Sequence, residues 1–422
     1  MRALTRAVDG SVSAWRVCVS QQRRASLSWC SWSPLGTLDR VSERRGFSTA
    51  DEASPLAFEM IEPPPGTPGA ADAPLALVLH GLMGSGRNWR TFVRALSRRV
   101  ADGGAPWRFA LVDHIYHGRT NAELRHRAAR NPPVPTGPDD PCPVDLAADA
   151  VARAARHIRR VQGFARPTDF ESESRPGRGG DAFPAAAVIG HSLGGKIALR
   201  ALSRVVSRAT ESESDSELET GAEYEPSRPR SQWWTLDSAP SAVASDSDPH
   251  GVRRVLDAIA RLPRRFESRE ALAAALASRP ESSRFPRDLV DWLGTNLAPV
   301  DPAAGAASPL GWVFDVEGAM ALYDAYARDD GALTTALEPP KGTEVHVVRA
   351  ERSERWPEDT VARLRRRAAE SESTTKFHVL RDAGHWLHVD NPEGLRDVIA
   401  PELVRLGKAL AARGRRRGEE NA

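Results

Sequence analysis

The stretch AAAVIGHSLGGKIAL, residues 185–199, constrains the fold more than any other part of the chain. A short apolar run ends at Gly190, a serine follows between glycines, and apolar residues then recur at helical spacing. The pattern predicts a buried strand, a sharp turn and a helix. A serine in G-x-S-x-G at such a turn projects its hydroxyl into the open, so Ser192 is the candidate nucleophile.

Further strands and helices alternate along the chain. Short apolar runs predict strands at 75–80, 108–113, 185–190, 232–237, 344–350 and 376–382. Helical spacing of apolar residues recurs at 144–161, 195–209 and 394–412. Strands that alternate with helices predict an α/β fold, with a mostly parallel sheet flanked by helices on both faces.

Composition and charge limit the kinds of partner and cofactor that we expect. The net charge of +2 over 422 residues favours no nucleic-acid partner, and no apolar run is long enough for a transmembrane helix. The histidines lack the spacing of familiar metal sites, so we expect neither a metal nor another cofactor. The sequence does not predict an oligomeric state.

Several segments lie outside this α/β pattern. Residues 1–50 are rich in arginine and serine and poor in acids, which predicts an organellar transit peptide, for the mitochondrion in preference to the plastid. Residues 163–182 and 210–231 are rich in Ser, Glu, Gly and Pro and predict disordered inserts. Residues 249–335 predict a helical cap with no clear strand before 311, and 413–422 a basic and polar tail.

Two other motifs complement Ser192. The segment LHGLMGSGRNW (79–89) follows a predicted strand and supplies a backbone amide, that of Leu82, suited to an oxyanion hole beside the amide of Leu193. The segment DAGHWLHVDNPEGL (382–395) places His385 after the last predicted strand, as the candidate base. A serine followed along the chain by a late histidine is the order expected for this arrangement.

At this point the sequence resembles the α/β-hydrolases. HGLMGS (80–85), GHSLGGK (190–196), LDSAP (236–240) and AGHWLHVDNPEG (383–394) are similar to the branch of YbfF-type esterases and the mitochondrial abhydrolase-domain-eleven group. The resemblance covers residues 55–410, apart from the two predicted inserts. It implies the α/β-hydrolase fold with a cap, and a serine hydrolase that cleaves a small carboxylic ester or thioester through an acyl-enzyme, without a cofactor.

The acid that would complete a triad with Ser192 and His385 is less clearly marked. Asp237 ends a predicted strand at the carboxyl edge of the sheet, where ligands bind in open α/β sheets, and is our first candidate. In the loop after 344–350, the commonest place for this acid on the resembled scaffold, the aligned residue is Ser353. The resembled branch implies that Ser353 assists Asp237, and it leaves Asp315 as an alternative acid. The flanking Glu351 and Glu354 are off register but stay open.

The remaining candidates have structural interpretations. We expect His80 to orient the oxyanion loop, and His191 and His388 to be structural. Cap residues Trp292, Leu293, Trp312 and Phe314 suggest an apolar pocket, but core packing is the better explanation for each one taken singly.

Two other functions fit the same motifs. A carbon–carbon bond hydrolase or an acyltransferase would use the same three side chains. A receptor or scaffold protein would keep the fold without the chemistry.

Overall fold

The computed structural model describes residues 56–121, 134–135, 137, 139–162, 183–213, 230–243, 251–283 and 285–420. The transit peptide predicted at 1–50 and the insert predicted at 163–182 lie outside these residues. Within them, no helix is long and apolar enough to cross a membrane.

The described strands form two sheets. In chain order they are β1 (Phe58–Ile61), β2 (Leu75–Leu79), β3 (Arg108–Val112), β4 (Ala187–His191), β5 (Ser231–Leu236), β6 (Arg265–Phe266), β7 (Leu297–Pro299), β8 (Leu310–Trp312), β9 (Thr343–Ala350) and β10 (Thr375–Leu380). The main sheet has seven strands in the order β1-β3-β2-β4-β5-β9-β10. Only the β1–β3 pair in it is antiparallel. All six strands predicted from the sequence are its parallel members. The short, half-buried edge strand β1 was not predicted.

Helices lie between the strands. They are α1 (Arg90–Asp102), α2 (Pro143–Val161), α3 (Leu193–Glu213), α4 (Val252–Ala260), α5 (Arg269–Ala277), α6 (Arg287–Thr295), α7 (Val316–Arg328), α8 (Gly331–Leu337), α9 (Glu358–Ala368), α10 (Leu387–Asp390) and α11 (Pro392–Glu420), with 3-10 turns at Ala70–Asp72, Gly86–Trp89 and Pro302–Ala307. The last helix runs through Pro401 to Glu420, so most of the tail predicted at 413–422 is helical.

The main sheet is buried on both faces. On β2, Leu75, Leu77 and Leu79 pack into a core with α2 and α3, while Ala76 and Val78 pack into another with α1 and α11. Alternate side chains of a strand point to opposite faces, so an uninterrupted apolar run serves both cores. Each fully buried leucine stabilises such a core by about 1.5–3 kcal/mol.

The cap contains three short strands in addition to the predicted helices. Strands β6, β8 and β7 pair in that order as an antiparallel sheet within the segment predicted to be a helical cap at 249–335. They have only two or three residues each, too few for an alternating pattern to be visible in the sequence. Trp292, Leu293, Trp312 and Phe314 are buried in the apolar core of the cap, as core packing requires.

The two ends of the second predicted insert lie in regular secondary structure. Helix α3 continues to Glu213 and β5 begins at Ser231, so both ends of the predicted segment 210–231 belong to regular elements. Residues 214–229 lie outside the described part of the chain.

Candidate active site

Ser192 occupies a tight corner between β4 and α3. Its φ angle of 52° lies in the left-handed region, and its N–H donates to the carbonyl of Leu236 at 3.0 Å. The positions around it require glycine, because neighbouring backbone atoms lie too close for a side chain. A Cβ on Gly190 would lie 2.2 Å from the carbonyl oxygen of Gly194, and one on Gly194 would lie 2.5 Å from that of Leu79. The corner is therefore built from the glycines that the motif supplies.

The structure brings Asp237 and His385 together. Asp237 follows β5 with a φ of 42°, and its Oδ2 accepts a hydrogen bond from Nδ1 of His385 at 2.7 Å. The Asp237 side chain is fully buried, whereas that of His385 is 18% exposed. A carboxylate at this distance holds Nδ1 protonated and leaves Nε2 as the basic nitrogen of the ring.

Three further donors hold the Asp237 carboxylate. Ser353 Oγ donates to Oδ2 at 2.8 Å, while Trp356 Nε1 at 2.8 Å and the Ala350 amide at 3.1 Å donate to Oδ1. Burial opposes ionisation of Asp237, but these bonds and the bond from His385 outweigh it and hold its pKa well below the usual range. Ser353 thus touches Asp237, as the resemblance implied. The contact of Trp356 has no counterpart in the sequence motifs.

The alternative acids lie elsewhere. Asp315 caps the N-terminus of α7, where its Oδ1 accepts from the Gly318 amide at 2.8 Å, and its own amide donates to the Tyr116 carbonyl. Glu351 is exposed and accepts from the Asp382 amide at 2.9 Å, and Glu354 is exposed. Asp237 is therefore the carboxylate that contacts His385.

The loop with Leu82 lies directly on the nucleophile. A Cβ on Gly81 would lie 3.3 Å from the Cβ of Ser192 and 3.0 Å from Nδ1 of His191. Leu193 is the first residue of α3, so its N–H has no acceptor within the helix. Gly81, which precedes Leu82, and the amide of Leu193 therefore both lie next to Ser192.

Three buried histidines hold that loop. His80 Nδ1 donates to the Gly81 carbonyl at 2.7 Å and its Nε2 accepts from the His114 amide at 3.1 Å. His114 Nε2 donates to the His80 carbonyl, and His117 Nε2 accepts from the amide of Met83, whose φ is 57°. Burial lowers the pKa of His80 to about 4 and that of His117 to about 3, so both rings are neutral. The sequence predicted this orienting role for His80 only.

His191 and His388 lie behind the base. His191 Nε2 donates to the backbone carbonyl of His385 at 2.7 Å, and burial lowers its pKa to about 3. His388 is buried and stacks on Trp89 with ring centroids 4.0 Å apart. Both rings pack against the base and its loop, which agrees with their structural interpretation.

The side chain of Lys196 connects the nucleophile helix to two other segments near the site. It is fully buried on α3, and its Nζ donates to the carbonyls of Tyr326 at 2.6 Å, Ser241 at 2.8 Å and Asp329 at 2.9 Å. Burial lowers its pKa to about 8. The helix of the nucleophile, the loop after Asp237 and the C-terminal end of α7 therefore meet on one ammonium group.

Comparison with known proteins identifies the family and the fold. A family model described as the alpha/beta hydrolase family matches residues 76–398. No curated protein matches the chain in sequence. An esterase from a marine microorganism is 17% identical with a TM-score of 0.50, over 81% of this chain and 97% of its own. A peroxisomal alpha-beta-hydrolase from Saccharomyces cerevisiae is 14% identical with a TM-score of 0.51, over 83% of this chain and 82% of its own.

At these identities the two solved structures are similar to this chain in fold alone. The family model extends over most of the sheet, the cap and the residues around Ser192, Asp237 and His385. The chain belongs to the alpha/beta hydrolase family.

Proposed function

We propose that this hydrolase cleaves a small carboxylic ester or thioester through an acyl-enzyme formed on Ser192. The observation that carries the proposal is the hydrogen bond of 2.7 Å between Asp237 and His385, at the same edge of the sheet as the strained corner of Ser192. A nucleophile, a base and a carboxylate that orients the base are the groups that acyl transfer requires.

Each side chain has a defined part in the proposed reaction. His385 Nε2 takes the proton of Ser192 as Oγ attacks the acyl carbonyl, and the amides of Leu82 and Leu193 donate to the resulting oxyanion. His385 then protonates the leaving alcohol or thiol as its bond to the acyl carbon breaks. A water molecule, deprotonated by His385, then attacks the acyl carbon. The bond from Ser192 Oγ to that carbon breaks, His385 returns the proton to Oγ, and the acid is released. Each oxyanion donor supplies about 3 kcal/mol of transition-state stabilisation in enzymes of this kind.

The cap supports an apolar acyl group. Leu82, Met83 and Trp386 pack against the apolar core of the cap, and the rings of Trp292 and Trp386 lie 6.0 Å apart. These residues of the two sequence motifs therefore border the apolar side chains of the cap, which would favour an apolar acyl group. The narrower resemblance to YbfF-type esterases points to an ester or thioester as the substrate.

Labelling by a fluorophosphonate tests the proposal. We expect the wild-type protein to be labelled and to hydrolyse p-nitrophenyl esters or acyl-CoAs of graded chain length, and Ser192→Ala to do neither. Labelling without hydrolysis of any of these substrates would favour a carbon–carbon bond hydrolase or an acyltransferase, which product analysis distinguishes. A folded protein without labelling would favour the receptor or scaffold function.

Import into an organelle is a separate proposal, which rests on the arginine-rich composition of residues 1–50. A fluorescent protein that carries these residues at its N-terminus should enter mitochondria. Uptake by plastids alone would favour the alternative, and a diffuse signal would contradict both.

A further inference from the structure

A second cluster of polar side chains lies at the other end of β9. Glu344 and His346 face the same side of this strand, and Glu402 of α11 meets them there. One ligand atom from each of the three lies within 4.8 Å of the others. Since Ala350, the last residue of β9, donates to Asp237, the strand separates Glu344 from the candidate active site by about 20 Å.

His346 has a nitrogen that lacks a partner within the described residues. The residue is fully buried, and its Nε2 makes no hydrogen bond, although Oε2 of Glu344 lies 3.5 Å away. Its Nδ1 lies 3.3 Å from Nε2 of His378, and its ring stacks on Trp234 at 3.9 Å. An imidazole whose ring is fixed by packing and whose Nε2 has no hydrogen bond is suited to bind a metal ion.

One exposed cation serves both carboxylates of the cluster. The guanidinium of Arg405 pairs with Glu344 and with Glu402, at 2.7 Å from Oε2 of the latter. Its side chain is 44% exposed, whereas that of Glu344 is 10% exposed. The two carboxylates carry one more charge than the single guanidinium neutralises, so a net negative charge lies beside Nε2 of His346. Arg405 can swing into solvent, while Glu344 and His346 are fixed by β9.

We propose that Glu344, His346 and Glu402 form a binding site for a divalent transition metal ion, and that Arg405 is the counter-ion which the metal displaces. One imidazole and two carboxylates with a water molecule make a four-coordinate site of the kind that suits Zn²⁺. An imidazole ligand disfavours Mg²⁺ and Ca²⁺, which take oxygen ligands. His378 Nε2 would accept a hydrogen bond from Nδ1–H of His346 and so fix the tautomer that leaves Nε2 to the metal.

This site was not predicted from the sequence, because its ligands do not have the regular spacing of familiar metal motifs. Here two ligands alternate on one strand and the third comes from the last helix, so only the folded chain brings them together. The metal would cross-link β9 to α11, and it would therefore stabilise the native fold by mass action.

Zn²⁺ binding to untagged protein tests the proposal, by equilibrium dialysis with metal analysis and by the shift in Tm. We expect one Zn²⁺ per chain at about 100 μM free metal, with a rise in Tm. Loss of a group that only hydrogen-bonds to a metal ligand weakens metal binding about 10- to 100-fold. Glu402→Gln removes a ligand itself and should weaken Zn²⁺ binding by more than this. Arg405→Gln should tighten binding about tenfold or more, because it removes the competing cation. Circular dichroism without added metal reports that each variant is folded.

The matched control lies on the same helix. Glu393 pairs with Arg396 at the same i, i+3 spacing as Glu402 with Arg405, but its side chain is 73% exposed and it has no histidine partner in the cluster. Glu393→Gln should leave Zn²⁺ affinity unchanged. Equal affinity in wild type and Glu402→Gln, or no Zn²⁺ uptake by either wild type or Arg405→Gln, would overturn the proposal. Glu402 is partly exposed, so its variant decides the matter even if Arg405→Gln fails to fold.

Discussion

Substitution of Asp237 by asparagine tests the candidate site most directly, because the four donors around the carboxylate fix how the new amide must point. Trp356 and the Ala350 amide can only donate to Oδ1, so an NH₂ group placed there would face two donors. The amide nitrogen therefore takes the position of Oδ2, beside His385 and Ser353. It donates to Nδ1 of His385 and forces the proton onto Nε2, the nitrogen that must accept the proton of the nucleophile.

The wrong tautomer should lower kcat by about 10⁴, equivalent to about 5.5 kcal/mol of transition-state stabilisation. The assay is kcat for a p-nitrophenyl ester, with circular dichroism to show that the variant is folded. Asp315→Asn is the matched control, because asparagine caps a helix about as well as aspartate and the bond from the Gly318 amide survives. A kcat for Asp237→Asn within about tenfold of wild type, or a collapse in Asp315→Asn, would refute the reasoning.

Three further predictions concern activity, strain and pH. Ser353→Ala and Trp356→Phe each remove one donor to Asp237 and should each lower kcat about tenfold, in the range for supporting partners, while wild-type rates in both would contradict the role given to these bonds. Ser192→Gly should abolish hydrolysis yet raise the free energy of unfolding by about 1 kcal/mol over Ser192→Ala in urea titrations, since glycine tolerates the φ of 52°. Burial lowers the pKa of His80 from 6.5 to about 4, so the unfolded chain binds a proton at this residue first as pH falls below 6.5. His80 should therefore contribute a fall in stability of about 3 kcal/mol between pH 6.5 and 4, in addition to the falls from His117 and His191, whose pKa values burial lowers to about 3. That stability is fully present above pH 6.5, and an unfolding free energy that does not change over this window would contradict a buried neutral ring.

The sequence predicted the parallel sheet well because its strands are buried on both faces. The run 75–79 is apolar throughout, and 344–350 is apolar at most of its positions, as strands buried on both faces are. The cap strands β6, β7 and β8 are too short to show any period, so their pairing depends on tertiary contacts. Edge strand β1 is half-buried and has only four residues.

The candidate site was predictable where a motif fixes the backbone and less so where side chains meet across the fold. Ser192 and His385 stand in local patterns that specify a corner and a loop. Asp237 was preferred over Asp315 from its place at a strand end, and the structure agrees with that preference. Trp356 donates to Asp237 from a separate loop, and no spacing rule relates these two positions.

Lys196 limits how this enzyme could acquire another cap. Its ammonium is enclosed by the carbonyls of Ser241, Tyr326 and Asp329, and a buried cation without such acceptors is strongly destabilising. A foreign cap grafted onto the sheet must therefore re-enter with carbonyls at the same three points, or else replace the lysine together with the segments it binds. The exposed positions of α4, α5 and α6 meet no such requirement, whereas the buried side chains of these helices form the core of the cap.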